Sequence, residues 1–174
     1  MTSCAAETEV RYTGWLRDHR GILLKVARSF AAGAADQDEL YQEMMLQLWR
    51  SLPRFQGQAK ASTWIYRVCL NTAQTWRRTE QRRSYLAGPL PAEPACERPT
   101  PGAVQEQTET IAALYAAIRS LPAADRSLVL LLLDGLSYRE ISEITGLTEN
   151  HVGVALTRAR KKLADLMKEV RHEL

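Results

Sequence analysis

Five of the seven prolines (Pro89, Pro91, Pro94, Pro99 and Pro101) crowd into one short stretch, with Gly88 and Gly102 beside it. Proline lacks an amide N–H and its ring clashes with the preceding helical turn, so this stretch cannot hold a helix and reads as an extended linker. Taking residues 84–105 as that linker leaves one body at 10–83 and a second at 106–170. Fully stretched, 22 residues reach at most about 75 Å, so two bodies joined in this way can touch well-separated sites. No internal repeat is visible.

Both bodies carry helical periodicity, so the expected fold is all-α: two small helical bundles, the second containing a helix-turn-helix. In the first body Tyr12, Trp15, Leu16, Ile22, Leu23, Val26 and Phe30 recur at helical spacing, with Gly33 closing the run. A second helix is expected from about Asp36 to Leu52, stopping before Pro53, with Leu40, Met44, Leu48 and Leu52 as its buried stripe. A third starts at the expected cap Ser62 and continues to about Arg83. The second body begins with helices near 106–120 and 122–133. Leu128 to Leu133 is apolar on every side, which predicts a central position in its bundle.

The stretch SYREISEITGLTENHVGVALTRARKKL (residues 137–163) has the pattern of a helix-turn-helix. Ser137 and Glu140 make an S-x-x-E capping box, which satisfies free N–H groups at a helix start. Ile141 and Ile144 form the buried side of a short helix, and Gly146 supplies the turn because it tolerates positive φ. Thr148 then caps a second helix with Val152, Leu156, Ala159 and Leu163 on one face. Its other face shows Asn150, His151, Thr157, Arg158, Lys161 and Lys162. A polar front and a basic rear suit a helix laid in a major groove against phosphates. A solvated helical hairpin would need the amphipathicity, but not the coincidence of cap, turn and basic cluster.

Charge and cysteine content narrow the class. The net charge of +3 is too small to argue for nucleic acid alone, but residues 10–83 hold 13 Lys/Arg against 6 Asp/Glu. A basic first body suggests a polyanionic partner. Cys4, Cys69 and Cys96 form neither a C-x-x-C nor a zinc spacing, which points to a reducing cytoplasm and to no metal site. Cys69 lies in an apolar helical run and reads as a buried small hydrophobe. No run of about eighteen apolar residues exists, so no membrane insertion is expected. MTSCAAETEV lacks the basic and apolar regions of a secretion signal. There is no nucleophile–base pair, metal cluster or Gly-rich phosphate loop, so neither intrinsic catalysis nor a cofactor is expected.

Three features of the first body exceed what a core requires. Asp36, Asp38 and Glu39 open the second helix, where acids suit the helix dipole. Gln42, Glu43 and Gln47 extend that polar face beyond the reach of the dipole, and a docking surface for a basic partner explains the whole strip equally well. RFQGQAKAS (Arg54–Ser62) is a short polar loop containing Gly57, and an ordinary helix connection accounts for it as it stands. In TWIYRVCLNTAQTWRRTEQRR (Thr63–Arg83), Ile65, Val68, Cys69, Thr72 and Trp76 face inward. Trp64, Arg67, Asn71, Gln74 and Arg78 line another side. Aromatic, basic and amide side chains on one face can stack on unpaired bases, neutralise phosphates and read base edges.

DQDELYQEMMLQLWRSLPRFQGQAKASTWIYRVCLNTAQTWRR resembles the first domain of the extracytoplasmic-function (ECF) sigma factors of the sigma-70 family, and LPAADRSLVLLLLDGLSYREISEITGLTENHVGVALTRARKKL resembles their second. The resemblance covers about residues 10–83 and 106–168, in the family's order. It implies a bacterial initiation factor that directs core RNA polymerase to promoters and helps melt the −10 element. The implied partners are the β′ and β subunits of core polymerase and promoter DNA. Because the family is commonly held inactive by an anti-sigma factor, such a protein is a further implied partner.

Residue by residue, the resemblance assigns docking on a polymerase coiled coil to Asp38, Glu39, Gln42 and Glu43. It assigns capture of a flipped −10 base to the loop Gln56 to Ala61, including Gly57 and Lys60, and strand opening and reading to Trp64, Arg67, Asn71 and Arg78. Reading of the −35 element falls to Asn150, His151, Val154, Thr157 and Arg158, with Lys161 and Lys162 behind them. Glu39 stands where the family often has Asp, and VGVAL departs from its commoner lysine- and serine-containing pattern. Gly153 within that segment lowers helix propensity by about 1 kcal/mol relative to Ala. The alternative is a helix-turn-helix regulator that binds duplex operator DNA, which would need neither the acidic strip nor the Trp64–Arg83 face.

Overall fold

The computed structural model describes residues 2–87 and 103–172, and every regular element among them is helical. The order is α1 (Thr2–Phe30), α2 (Ala34–Ser51), a 3-10 turn at Leu52–Arg54, α3 (Ala61–Ala87), α4 (Ala103–Ser120), α5 (Ala123–Leu133), α6 (Tyr138–Thr145) and α7 (Glu149–His172). Helices α1, α2 and α3 pack on one another as the first bundle, and α7 gathers α4, α5 and α6 into the second. Helix α3 runs through 84–87 and α4 starts at 103, so regular structure enters both ends of the expected 84–105 linker. The five clustered prolines and Cys96 lie outside the described residues.

The apolar stripes fall where the periodicity places them. Leu40, Met44 and Leu48 of α2 are fully buried against Leu23 and Val26 of α1 and Ile65 and Cys69 of α3, within one cluster. Each such side chain contributes about 1.5–3 kcal/mol relative to an exposed one. Pro53 enters the 3-10 turn in its first positions, where its missing N–H leaves no bond unmade, and Leu52 stays buried at the turn.

Two local expectations are corrected, and a third, the central place of α5, is met. Gly33 does not close α1 in a left-handed conformation; it is the N-cap of α2, with φ −78° and ψ 152°. Ser62 lies inside the first turn of α3, and the helix opens one residue earlier, with the Trp64 N–H donating to the Lys60 carbonyl at 3.2 Å. Helix α5 is central, touching α1, α4, α6 and α7, but its apolar run is not buried throughout: Leu133 is 53% exposed at the C-terminal end.

The linker implied two separable bodies, whereas the structure packs them together. Helix α3 lies against α6, and α1 against α4 and α5. One continuous apolar cluster runs from α1, α2 and α3 into Leu128, Leu130, Leu131, Ile141 and Ile144 of the second bundle.

Candidate nucleic-acid interface

The helix-turn-helix forms as its local chemistry dictates. Ser137 Oγ accepts the Glu140 N–H at 3.3 Å, and Glu140 Oε2 accepts the Ser137 N–H at 3.0 Å, closing the capping box reciprocally. The Ser137 N–H bond and then the Lys60 ammonium hold the Glu140 carboxyl down at about 2. Gly146 ends α6 at φ 77°, a left-handed value that glycine adopts at least cost. The Ser142 hydroxyl bridges the turn to the Leu147 carbonyl, and Thr148 Oγ1 accepts the His151 N–H at 3.3 Å at the start of α7.

Helix α7 buries Val152, Ala155, Leu156 and Ala159. Asn150, His151, Val154, Thr157, Arg158 and Lys161 are all exposed, so the expected −35 residues share an open face. Lys162 is exposed too, but its ammonium pairs with Asp125 of α5 at 3.1 Å and ties α7 to its own bundle. Tyr138, at the first position of α6, borders a shallow depression with Glu149, Asn150, Gly153, Val154 and Thr157. The sequence reading missed it, since nothing in the spacing distinguishes Tyr138 from any polar-edged aromatic at a helix start. A Cβ on Gly153 would sit 3.5 Å from the Tyr138 ring, an ordinary contact, so the site does not require glycine.

In the first bundle Asp38, Glu39 and Gln42 are exposed, and Glu43 is half-buried, accepting from Gln47 Nε2 at 2.7 Å. Glu39, Glu43 and Gln47 share a cleft with Asn71, Thr75, Trp76 and Arg83 of α3. Asn71, assigned to the −10 set, therefore lies in one cleft with two residues of the docking set. Gln56, Gly57 and Lys60 are exposed on the loop, and Gly57 takes φ 74°. Trp64 is not a free stacking platform. It is half-buried, its ring meets Phe55 edge-on at 5.5 Å, and its Nε1–H donates to Ser51 Oγ at 3.3 Å. Phe55 in turn meets Trp15 at 4.8 Å, so three rings hold the start of the loop.

Arg67, Lys60 and Gln74 each bond to the second bundle, although Arg67 and Lys60 stay exposed. Arg67 Nε and Nη2 both donate to the Glu143 carbonyl of α6, the Nε bond at 2.9 Å. Lys60 pairs with Glu140 at 3.0 Å, and Gln74 Nε2 donates to Ser127 Oγ at 3.3 Å. Arg78 remains exposed beside Gln81, Arg82, Tyr85 and Leu86.

Tyr66, Leu70 and Ala73 of α3 are buried, although the inward stripe read from the sequence did not include them. The Tyr66 hydroxyl donates to Asp134, at the C-terminus of α5, and Lys25 of α1 pairs with the same carboxylate. Burial, and then this bond to Asp134, raise the Tyr66 pKa above its ordinary value. Arg126 is wholly buried, donates to the Arg119 and Leu121 carbonyls, and sits 4.9 Å over the Phe30 ring of the first bundle.

Comparisons with known proteins bear on the family and the fold. Residues 15–83 match the family described as Sigma-70 region 2, and residues 111–163 match Sigma-70, region 4. The chain is 28% identical over 153 residues to the RNA polymerase sigma factor NccH of Alcaligenes xylosoxydans xylosoxydans, spanning 86% of this chain and 82% of that one. It is also 28% identical over 153 residues to the ECF RNA polymerase sigma factor SigM of Mycobacterium tuberculosis H37Rv, spanning 87% and 74%. Among solved structures, the sigma factor RpoE in complex with the anti-sigma factor NepR from Bartonella quintana is similar at a TM-score of 0.68 and 19% identity, covering 89% of this chain and 97% of that one.

Proposed function

The chain belongs to the sigma-70 family, in its extracytoplasmic-function branch, and on that premise we propose the division of labour among its residues that follows. As an RNA polymerase sigma factor it works with core polymerase and promoter DNA, and the operator-binding alternative is not favoured. Residues 10–83 serve docking and the −10 element, and 106–170 serve the −35 element, joined by 84–105. Asp38, Glu39, Gln42 and Glu43 meet polymerase. The loop with Gln56, Gly57 and Lys60 holds an unpaired −10 base, with Arg67, Asn71 and Arg78 on the strand and Trp64 fixing the loop from below. Asn150, His151, Val154, Thr157 and Arg158 read the −35 major groove, and Lys161 neutralises phosphate.

One observation carries this reading: two family regions match in order, and the second presents an exposed polar and basic face on a capped helix-turn-helix. The physics agrees with the division of labour. Unstacking a base costs a few kcal/mol, so a small free protein opens promoter DNA poorly. Mounted on polymerase, the two bundles become one bivalent reader with a high effective concentration at the second site. In this reading the chain performs no catalysis, acts in the cytoplasm, and is held by an anti-sigma factor as RpoE is in its complex. No helix among the described residues is long and apolar enough to cross a membrane.

The test is run-off transcription on genomic fragments with core polymerase, with and without the protein. Defined start sites only in its presence are expected. Binding to duplex DNA with no effect on core polymerase would overturn the assignment.

A further inference from the structure

The exposed face of α7 divides into two parts of different chemistry. No Lys or Arg lies between Glu149 and Thr157, and the first cation is Arg158. Guanine is most often read by Arg or Lys on its O6 and N7, so the front of the helix lacks the side chain for that contact. Apolar surface stands there instead. Val154 is 56% exposed in the middle of an otherwise polar strip, and the Tyr138 ring, 38% exposed, stands beside it from the first turn of α6. The two border one depression with Glu149, Asn150, Gly153 and Thr157. Gly153 leaves the ring uncovered, since a Cβ there would already lie 3.5 Å from it. Thr157 donates its hydroxyl to the Gly153 carbonyl at 2.9 Å, so it has no proton left for a base and offers its methyl. The depression carries one carboxylate and no cation, which makes it a poor seat for phosphate.

We propose that this depression seats the C5 methyl of a thymine in the −35 element, with Val154 and Tyr138 as its walls. This rests on the assignment of α7 to the −35 major groove. The thymine methyl is the one apolar group that base edges display in that groove, and it distinguishes T·A from C·G at the same position. Burying Val154 and the ring against it removes apolar surface from water without the desolvation cost of a charge. Tyr138 acts from outside the recognition helix, and the capped first turn of α6 fixes that wall of the seat.

The test uses the full chain on core polymerase and a fluorescein-labelled duplex carrying a start site mapped by run-off transcription. Each thymine of the −35 region, on either strand, is replaced in turn by deoxyuridine, which pairs identically and lacks only the methyl. One position is expected to cost the parent about fourfold in affinity, the factor that burial of a single methyl gives. Val154→Ala should bind the thymine duplex more weakly and lose nothing further at that position. Val154 is exposed, so this variant keeps its helical content. Tyr138→Ala should likewise narrow the ratio of thymine to deoxyuridine affinity, whereas Tyr138→Phe keeps it. Should no thymine be methyl-sensitive, or should parent and Val154→Ala lose the same factor, the seat is overturned. Scrambling the −35 region tests the underlying assignment separately. Unchanged binding of the parent to the scrambled duplex would sink the −35 reading itself, while weaker binding without any methyl effect removes only the seat.

Discussion

The Trp64 indole N–H donates to the Ser51 hydroxyl at 3.3 Å, tying the first turn of α3 to the last residue of α2 across the loop between them. With Phe55 against its ring, Trp64 is a support for the loop. Trp64→Ala should lower stability by about 2–4 kcal/mol, less than the upper end for a fully buried tryptophan, and Tm by roughly 5–10 °C. Trp64→Phe keeps the ring contact and loses one hydrogen bond, at about 1 kcal/mol. Thermal denaturation reads both, and transcription on a pre-opened −10 template checks that the phenylalanine variant still holds the loop.

Replacing Gln42 and Glu43 with lysine should leave helical content almost unchanged. Gln42 is exposed, and Glu43 gives up only its bond to Gln47 on the same helix. Stability should move by about 0.5 kcal/mol or less, while affinity for core polymerase falls sharply in a pull-down. Normal core binding would place the docking surface elsewhere.

Arg158 and Lys161 should each reduce the salt slope of log K on promoter DNA by roughly 0.9 when replaced by alanine. Lys162 should behave differently, because its ammonium is already paired with Asp125. Lys162→Ala is expected to cost up to about 1 kcal/mol of domain stability and to change the slope less than the other two. Titrations in graded salt separate the three.

Acid should loosen the second bundle at one identifiable place. The Glu140 carboxyl is held at about 2 by the Ser137 N–H and the Lys60 ammonium, against an ordinary 4.5. A depressed carboxylate stabilises the fold above its unfolded pKa, and that contribution fades as pH falls from about 4.5 toward 2. In Glu140→Gln this part of the acid dependence should vanish, so denaturation midpoints of parent and variant converge as pH drops through that window.

Cys69 should be inert in the native protein. It is wholly buried, and burial raises its thiol pKa, so little nucleophilic thiolate exists near neutral pH. Peptide mapping after alkylation should find Cys69 unmodified in buffer and labelled in denaturant. Rapid native labelling would show that the first bundle opens around it.

Elements governed by neighbours in sequence were legible, and those governed by distant partners were not. The Ser137–Glu140 box, the Gly146 turn and the Leu40–Met44–Leu48 stripe each follow from residues within one or two turns, and each is present as expected. Gly33 misled because glycine marks either end of a helix, and only the backbone angles decide. Ser62 misled because a capping residue type one position inside the helix looks identical in sequence. Tyr66, Arg126 and Asp134 were missed for a common reason: each has a partner on the other bundle, so periodicity along their own helices carries no trace of it. A buried arginine in the first turns of an apolar helix reads as surface charge until Phe30 is seen beneath it. At the candidate interface, the exposed face of α7 could be read from its spacing, but the engagement of Lys60 and Arg67 by α6 could not.

Phe55 stands edge-on between Trp15 and Trp64, so one arm of the loop proposed to hold a −10 base is fixed by folding alone. Fixing a residue's backbone costs about 1–2 kcal/mol in entropy. Each loop residue already held by the three rings removes that cost from the capture of a base. What remains to settle is the tip, Gln56 to Gln58, where Gly57 already adopts the left-handed bend. On the proposed assignment, most of the framework that would hold an extruded base is set during folding rather than during transcription. Strand capture should then be limited by how often the duplex breathes, and hardly at all by rearrangement of the protein.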